Sequence, residues 1–435
     1  MHISKTDKST IFINSLIGLL PFSYIIGNTI LNINVVLIII TGLYFFKLEI
    51  FRFEKNVFNF TLVFFFLYLI LISLINYIPG LGVVDGYKAN LLKSFFFLRY
   101  LLLFLIVRTL FNKNLFKIKY IFIISALSTL ALSIDLILQF NTGTNLFGKT
   151  TDAAFRFSGF FGDELIAGSY LQRFSLFFIF LTLTLKINKS KKNVYLIILI
   201  FSLYILCCIF LTGNRMPTLL YVFSLSIFFL LEKKLRKFLI YFIIILSLTS
   251  VTMYNFNNHI KKTVNSFSGN AYNLTENLSI FFVNDIKYSS ADFNMREDNH
   301  HLRTFNAGIQ TWKTHKIFGG GLRSFRSNCG MHTIFRMCNN HPHNYYIEIL
   351  LDMGIVGLAA FLIIFYSSIY NFIIFYTRNA SLLLSERIVY APAFLVIFTE
   401  IFPLRSSGSF FTTGNATFIF LFLAMISSMR FKKKS

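Results

Sequence analysis

The chain has 435 residues, of which 55% are hydrophobic and 57 are phenylalanine, and its formal net charge is +23. A soluble protein could not bury so much apolar surface, so the composition excludes a set of soluble domains and predicts a membrane protein. The basic residues fall in short stretches between apolar runs, which is typical of membrane topology and argues against nucleic-acid binding.

Twelve apolar runs are long enough to cross about 30 Å of hydrocarbon as helices. They cover approximately residues 10–29, 31–47, 57–77, 92–110, 119–139, 166–186, 194–211, 215–231, 238–254, 354–376, 388–404 and 411–429. We therefore predict an all-α, polytopic membrane bundle of about 12 transmembrane helices. Residues 1–254 hold the first nine, a large loop follows at 255–342, and residues 343–435 hold a helix at the outer face and the last three spans.

Lys and Arg are concentrated in every second connection between the runs, for example in residues 108–119 and 233–237. Loops that are rich in Lys and Arg stay on the cytoplasmic side of a membrane. The pattern predicts a multi-pass protein of the bacterial inner membrane, with both termini in the cytoplasm. The connection at 255–342 is then periplasmic.

The 255–342 loop is long and polar, and an amphipathic helix is predicted in its second half. Leu302, Phe305, Ile309 and Trp312 share one helical face, and residues 303, 306, 310 and 313 form the polar face opposite. The apolar face either lies at the level of the lipid headgroups or packs on a core within the loop. The glycine run at 319–321 ends this helix.

Cys329 and Cys338 lie in the same loop, nine residues apart. An oxidising periplasm permits a disulfide between them, and two free thiols are the alternative. The bond would restrain the segment that carries His341 and His343.

Charged residues at the outer ends of the spans are candidates for substrate binding. Arg215 follows a tight turn at 211–214, and its guanidinium can hold phosphate oxygens; a side chain that only extends to the membrane surface is the alternative. Arg156, Asp163 and Glu164 lie in a glycine-containing loop and could bind sugar hydroxyls, or the loop is a plain re-entrant turn. Arg405 follows Glu400 closely enough to pair with it.

His343 is the strongest catalytic candidate. It follows Pro342 at the start of a predicted helix, where the partial positive charge favours a neutral imidazole that can act as a general base. Asn344, Glu348 and Asp352 recur every four residues and form a polar stripe on this helix, so the first two are also candidates for substrate contacts. A metal site that joins His341 and His343 to residues 300 and 301 is a weaker alternative, because no Cys or carboxylate lies at ligand spacing.

Five segments together resemble the O-antigen ligase and polymerase superfamily of bacterial membrane glycosyltransferases. They are the Arg215 turn, the FGGG run at 318–321, the helix that begins with His343-Asn344 and reaches GIVG at 354–357, FRFSGFFGDELIAGSYL at 155–171 and FPLRSSGSFF at 402–411. The resemblance covers most of the chain from about residue 155 onward.

The resemblance implies an inverting transfer of a glycan from an undecaprenyl-diphosphate carrier, without a metal or another cofactor. The acceptor is lipid A-core in ligases, which we favour, and a second carrier-linked glycan in polymerases. His343 is then the base that activates the acceptor hydroxyl, and Arg215 anchors the diphosphate. Arg303 is the nearest counterpart of the family's loop arginine, with His301 at the aligned position. A transporter of polysaccharide or lipid-linked saccharide is the alternative of a different class, and Arg99 within the fourth span would suit its path.

Overall fold

The computed structural model describes residues 5–52, 54–78, 80, 88–150, 156–184, 191–231, 236–256, 261, 265, 300–332, 338–378 and 390–429. Every regular element in these ranges is a helix, which confirms the predicted all-α class for this part of the chain.

Fourteen α-helices form the described structure. They are α1 (Lys5–Ile26), α2 (Asn28–Phe46), α3 (Val57–Tyr77), α4 (Lys88–Asn112), α5 (Lys119–Thr142), α6 (Ala167–Thr184), α7 (Lys191–Leu211), α8 (Arg215–Leu231), α9 (Arg236–Phe256), α10 (His300–Trp312), α11 (Ser324–His332), α12 (Tyr345–Arg378), α13 (Ala391–Glu400) and α14 (Thr413–Ser427). Short 3-10 helices cover Lys47–Phe51 and Gly159–Phe161.

Helices occupy each of the twelve positions at which spans are predicted. Within the described residues, six are long and apolar enough to cross a membrane: Lys8–Ile26, Asn28–Phe51, Val57–Tyr77, Lys88–Asn112, Lys119–Thr142 and Tyr345–Arg378. Leu196–Leu211, Arg215–Leu231, Ala391–Glu400 and Thr413–Ser427 are apolar but shorter. These helices are those of an integral membrane protein, whereas the count of twelve spans, the periplasmic side of the 255–342 loop and the cytoplasmic termini stay predictions.

Helix α14 forms the centre of the bundle, where residues 416–426 are all buried. Its Phe420 ring packs on Phe66 of α3 at 4.9 Å, and its Phe418 ring packs on Phe174 of α6 at 4.7 Å between centroids. Lipid tails are as apolar as these side chains, so the helices associate through close packing and through polar contacts between them. The polar contacts described next therefore carry much of the specificity of the fold.

Contacts between distant segments show which helix ends lie together. The Tyr170 hydroxyl at the start of α6 donates to the carbonyl of Pro21 near the end of α1. The Asn76 amide at the end of α3 donates to Gly319, and Arg99, near the middle of α4, donates to Thr413, the first residue of α14. These helices alternate in direction, and the candidate residues gather at one end of the bundle, which we call the site end.

The amphipathic helix is present as α10, and small residues make its closest contact. Thr304, Ala307, Gly308 and Thr311 are buried, whereas Phe305, Ile309 and Trp312 are only partly buried. A Cβ on Gly308 would lie 2.6 Å from Ile347, so α10 approaches α12 more closely than larger residues allow. On the large apolar face, Trp312 packs against a small core that includes Ala307 and Phe325, and a position of this face at the lipid headgroups stays a prediction.

The glycine run at 319–321 packs against a kink in α12. Gly354 has φ +63° and interrupts the helical geometry there. A Cβ on Gly319, which has φ +86°, would lie 2.5 Å from the backbone nitrogen of Gly354. The Gly320 N–H donates to the Leu351 carbonyl at 2.8 Å. Only glycine fits at 319, and the run fixes the position of α12 beside α3.

The substitution Gly319→Ala should therefore destabilise the protein. A Cβ adds left-handed backbone strain, which alone costs about 1 kcal/mol, and a clash with backbone atoms that cannot move away. Thermal unfolding of purified protein in detergent micelles measures the loss. Gly143→Ala is the matched control, since Gly143 has φ +82° and open space around it. A loss no larger at 319 than at 143 would contradict the packing argument.

Candidate functional site

The polar stripe on α12 attaches this helix to two other segments. Asn344 caps the helix, because its Oδ1 accepts the backbone N–H groups of Tyr346 at 3.0 Å and Ile347 at 3.3 Å. Its Nδ2 donates to the carbonyl of Pro403 at 2.7 Å. The cap therefore also ties the start of α12 to residues 402–411, which we call the 402–411 segment.

Two further hydrogen bonds hold the 402–411 segment against α12. The buried carboxylate of Glu348 accepts the backbone N–H of Phe410 at 2.6 Å. The N–H of Ser407 donates to the carbonyl of His343 at 2.8 Å. The segment thus holds the turn that carries His343 from both sides.

Asp352, the third member of the stripe, caps helix α11. Its carboxylate oxygens accept the backbone N–H groups of Arg323 at 3.0 Å and Ser324 at 2.9 Å. These are N–H groups at the start of a helix, which have no partner within the helix itself. The stripe was predicted from the sequence, but its members bind backbone groups; the predicted substrate contacts of Asn344 and Glu348 stay predictions.

His343 lies directly before the capping residue of α12, with φ +57°. A side chain other than glycine rarely adopts this conformation, so the surrounding contacts hold the residue in place. The His341 ring lies 4.3 Å from the His343 ring, centroid to centroid. Burial, together with His343 and Lys93 nearby, lowers the pKa of His341 to about 4, so His341 is neutral at pH 7.

A buried ion-pair cluster lies beneath this turn. Glu400, which is 1% exposed, accepts hydrogen bonds from Arg173 Nε at 3.1 Å and Nη2 at 2.8 Å. Arg405 Nη1 lies 2.9 Å from the same carboxylate, and the Tyr345 hydroxyl donates to it at 3.1 Å. Arg173 also donates to Asn415 at 3.0 Å. The structure thus contains the suggested contact between Glu400 and Arg405.

Arg173 was missed in the sequence analysis. It is 2% exposed, and its guanidinium lies 5.5 Å from the Phe418 ring and 5.9 Å from the Tyr24 ring. The available signal was a single Arg inside a run predicted to span the membrane, since such charges usually have a functional or pairing role.

The Arg215 turn packs against the start of α6, at the site end. Asn214 Nδ2 donates to the carbonyl of Leu165 at 3.0 Å, and a Cβ on Gly168 would lie 2.5 Å from the Thr212 hydroxyl. Arg215 itself is the first residue of α8 and is partly buried. The structure therefore places Arg215 at the same end of the bundle as Arg173, which lies further along α6.

The loop before α6 contributes less to this cluster. Glu164 is exposed but within electrostatic reach of Tyr24, the ring beside Arg173. Arg156 and Asp163 are exposed, and no hydrogen bond or ion pair joins either to the cluster within the described ranges. Their predicted substrate contacts are untested.

His301 and Arg303 belong to the first turn of α10, and their side chains lie outside the described part of the structure. Among the residues that are described, no group of three or more His, Cys, Asp or Glu is arranged to hold a metal ion.

Cys329 and Cys338 are joined by a disulfide, with their Cα atoms 5.6 Å apart. Cys329 packs in a small core with Ala307, Phe325 and Leu351. The bond therefore links this core to the segment that leads into His341 and His343.

This disulfide can be tested by intact mass after alkylation in denaturant. Without a reductant, we expect only Cys207 and Cys208 to be alkylated. After reduction, we expect all four cysteines to be alkylated. The two free cysteines are an internal control for complete alkylation. Alkylation of all four cysteines in protein that has not been treated with a reductant would contradict the bond.

The Glu400 cluster predicts a large stability effect. Glu400→Gln leaves two buried arginines without their counter-charge, and breaking such a pair costs about 3–5 kcal/mol. The melting temperature in detergent should fall by several degrees. Glu49→Gln is the control, because the Glu49–Lys113 pair is exposed and such pairs contribute little. Similar melting temperatures for the two variants would argue against the proposed role of the cluster.

Fold and site together define an integral membrane protein, all-helical where it is described, with a polar and charged cluster at one end of its bundle. Residues 198–362 match the family described as O-antigen ligase. The match confirms the resemblance to this superfamily and runs from α7 through Arg215, α10 and the glycine run into α12. No curated protein matches the chain. The O-antigen ligase family suggests a membrane enzyme of O-antigen or polysaccharide assembly that acts on lipid-linked glycans.

Proposed function

We propose that this protein is an inverting, metal-independent glycosyltransferase. It moves a saccharide from an undecaprenyl-diphosphate carrier to an acceptor hydroxyl at the periplasmic face of the inner membrane. The observation that carries the proposal is the fixed position of His343, which lies before the Asn344 cap and is held by the 402–411 segment. The family match over the same region supports it.

His343 acts as the general base in this proposal. Its imidazole takes the proton of the acceptor hydroxyl while the hydroxyl oxygen attacks the anomeric carbon of the donor. The bond between that carbon and the diphosphate oxygen breaks on the opposite face, so the anomeric configuration inverts. The diphosphate leaves with the bonding electron pair, and His343 then releases its proton to solvent.

Arg215 stabilises the leaving diphosphate in the same proposal. A guanidinium carries a permanent charge and two parallel donors that match phosphate oxygens. Such preorganised charge stabilises a departing anion without a metal ion. Arg303, with His301 beside it, is proposed as a second contact from the loop. The buried Arg173 and Arg405 are already paired with Glu400, so they serve the structure of the site.

Lipid A-core is the acceptor that we favour, which makes the reaction an O-antigen ligation. A polymerase, with a second carrier-linked glycan as acceptor, uses the same chemistry and is the alternative. A saccharide transporter is the alternative of another class. Arg99, the residue that would suit a transport path, donates to Tyr100 at 2.7 Å and to the Phe96 carbonyl at 3.2 Å, and these contacts favour a packing role.

A deletion strain that is complemented with variants tests the function. His343→Ala should abolish transfer, because no other group then accepts the hydroxyl proton, and Arg215→Gln should reduce it at least ten-fold. Lipopolysaccharide gels read out the product. O-chains absent from lipid A-core, with carrier-linked polymer retained, indicate a ligase, whereas a core with one repeat indicates a polymerase.

Arg236→Gln is the matched control for Arg215→Gln, because Arg236 is likewise the first residue of a helix but is exposed. Each variant must be present at wild-type levels in the membrane and elute as wild type on size exclusion. Normal O-chains with His343→Ala would refute the base assignment. An unchanged profile in the deletion strain itself would refute the O-antigen assignment and favour another polymer or transport.

A further inference from the structure

Lys93 and Arg323 are two partly buried cations that converge on the His343 turn. Lys93 lies in the second turn of α4, and Arg323 immediately precedes α11. Lys93 is within electrostatic reach of both Arg323 and His341. The His341 ring in turn lies against that of His343. Lys93 therefore lies between Arg323 and the histidine that contacts the proposed base.

Neither cation is in a direct ion pair within the described structure. No hydrogen bond or ion pair there involves the Lys93 ammonium or the Arg323 guanidinium. The nearby carboxylates are Glu348 and Asp352, and both accept backbone N–H groups, from Phe410 and from the first turn of α11. An anion could therefore bind Lys93 and Arg323 without breaking an existing ion pair.

Two further observations indicate a ligand. Arg323 has φ +64° and His343 has φ +57°, a left-handed conformation that is rare for residues other than glycine. Such strained backbone is concentrated at functional sites. The Nε2 atom of His341 is buried without a hydrogen-bond partner in the described structure. A buried polar atom of this kind is usually satisfied by a bound group.

We propose that Lys93 and Arg323, with His341 beside them, bind a phosphate group of the acceptor. The inference rests on the proposed transfer reaction. In an inverting displacement the attacking hydroxyl and the leaving group lie on opposite faces of the anomeric carbon. A cationic site next to the base is therefore on the acceptor's side, away from the donor's diphosphate. The ammonium supplies a point charge, and the guanidinium supplies two aligned donors.

The acceptor phosphate has two sources, a phosphorylated saccharide or a prenyl diphosphate carrier. Calorimetric titration of the full chain in lipid nanodiscs distinguishes them, with glucose 6-phosphate against glucose and farnesyl diphosphate against farnesol. We expect the Lys93→Gln and Arg323→Gln variants each to bind one phosphate probe at least ten-fold more weakly than wild type. The probe whose binding depends on these residues identifies the source.

Lys88→Gln and Arg326→Gln are the matched controls, because each removes an exposed cation from the same segment as its partner variant. Both should bind as wild type. Arg323→Gly adds a second variant that relieves the left-handed strain, so it should keep or raise the melting temperature while it weakens binding. Wild-type affinity for both probes in Lys93→Gln and Arg323→Gln, or losses equal to those of the controls, would overturn the proposal.

The transfer assay separates this proposal from the proposed function. If transfer occurs, the two variants should raise the KM for the acceptor and leave the KM for the donor unchanged; a rise for the donor alone would overturn the acceptor assignment. If wild type transfers no saccharide but binds a phosphate probe through Lys93 and Arg323, the anion site is supported and the proposed glycosyltransferase activity is refuted.

Discussion

The arrangement of the site end depends on three side chains at four-residue intervals on α12. Asn344 and Glu348 bind the backbone of the 402–411 segment, and Asp352 binds the backbone at the start of α11. The segments that they hold, 402–411 and 319–324, are irregular, and irregular backbone at membrane depth needs internal hydrogen-bond partners because lipid offers none. A buried N–H that loses its partner costs about 1–3 kcal/mol. The stripe therefore makes non-helical backbone possible beside the membrane spans, and this backbone forms the walls of the candidate site.

The conformation of His343 is a consequence of this attachment. Its left-handed backbone is unfavourable, and strain of this kind costs about 1–3 kcal/mol and persists only where neighbouring contacts hold it. Here the contacts are a helix cap on one side and the Ser407 N–H on the other. Beneath the turn, Tyr345, which is the first residue of α12, donates a hydrogen bond to Glu400, and Glu400 pairs with both arginines. The proposed base is thus connected to the bundle core through the Asn344 cap and the buried contact of Tyr345 with Glu400.

Hydropathy predicted where the long bundle helices lie, because their apolar runs are long even where a single charge such as Arg173 interrupts one, but it did not predict α11. It also predicted the polar stripe, since the four-residue period is visible in the sequence. The sequence did not show what the stripe binds, because the partners are up to 62 residues away along the chain. Glu400 and Arg405 are near neighbours and were suggested as a pair, whereas Arg173 is 227 residues from Glu400, so its lone charge within a predicted span did not indicate its partner. The close contact of α10 through Ala307 and Gly308 was not predicted because these residues are weak hydrophobic signals, although small residues decide how closely two helices approach.

Two kinds of charge at the site end follow from these contacts. Arg173 and Arg405 share one carboxylate that is almost fully enclosed, which offsets one of their two positive charges and fixes their geometry. Binding a substrate anion there would require breaking a buried pair, which is strongly unfavourable. Lys93 and Arg323 instead face carboxylates that are already bonded to backbone N–H groups. The positive charge of Lys93 and Arg323 is only partly compensated. An incoming anion can therefore compensate the remainder without breaking an existing contact. The enclosed pair therefore maintains the shape of the site, and the partly exposed pair is the one whose electrostatic potential a lipid-linked phosphate would meet.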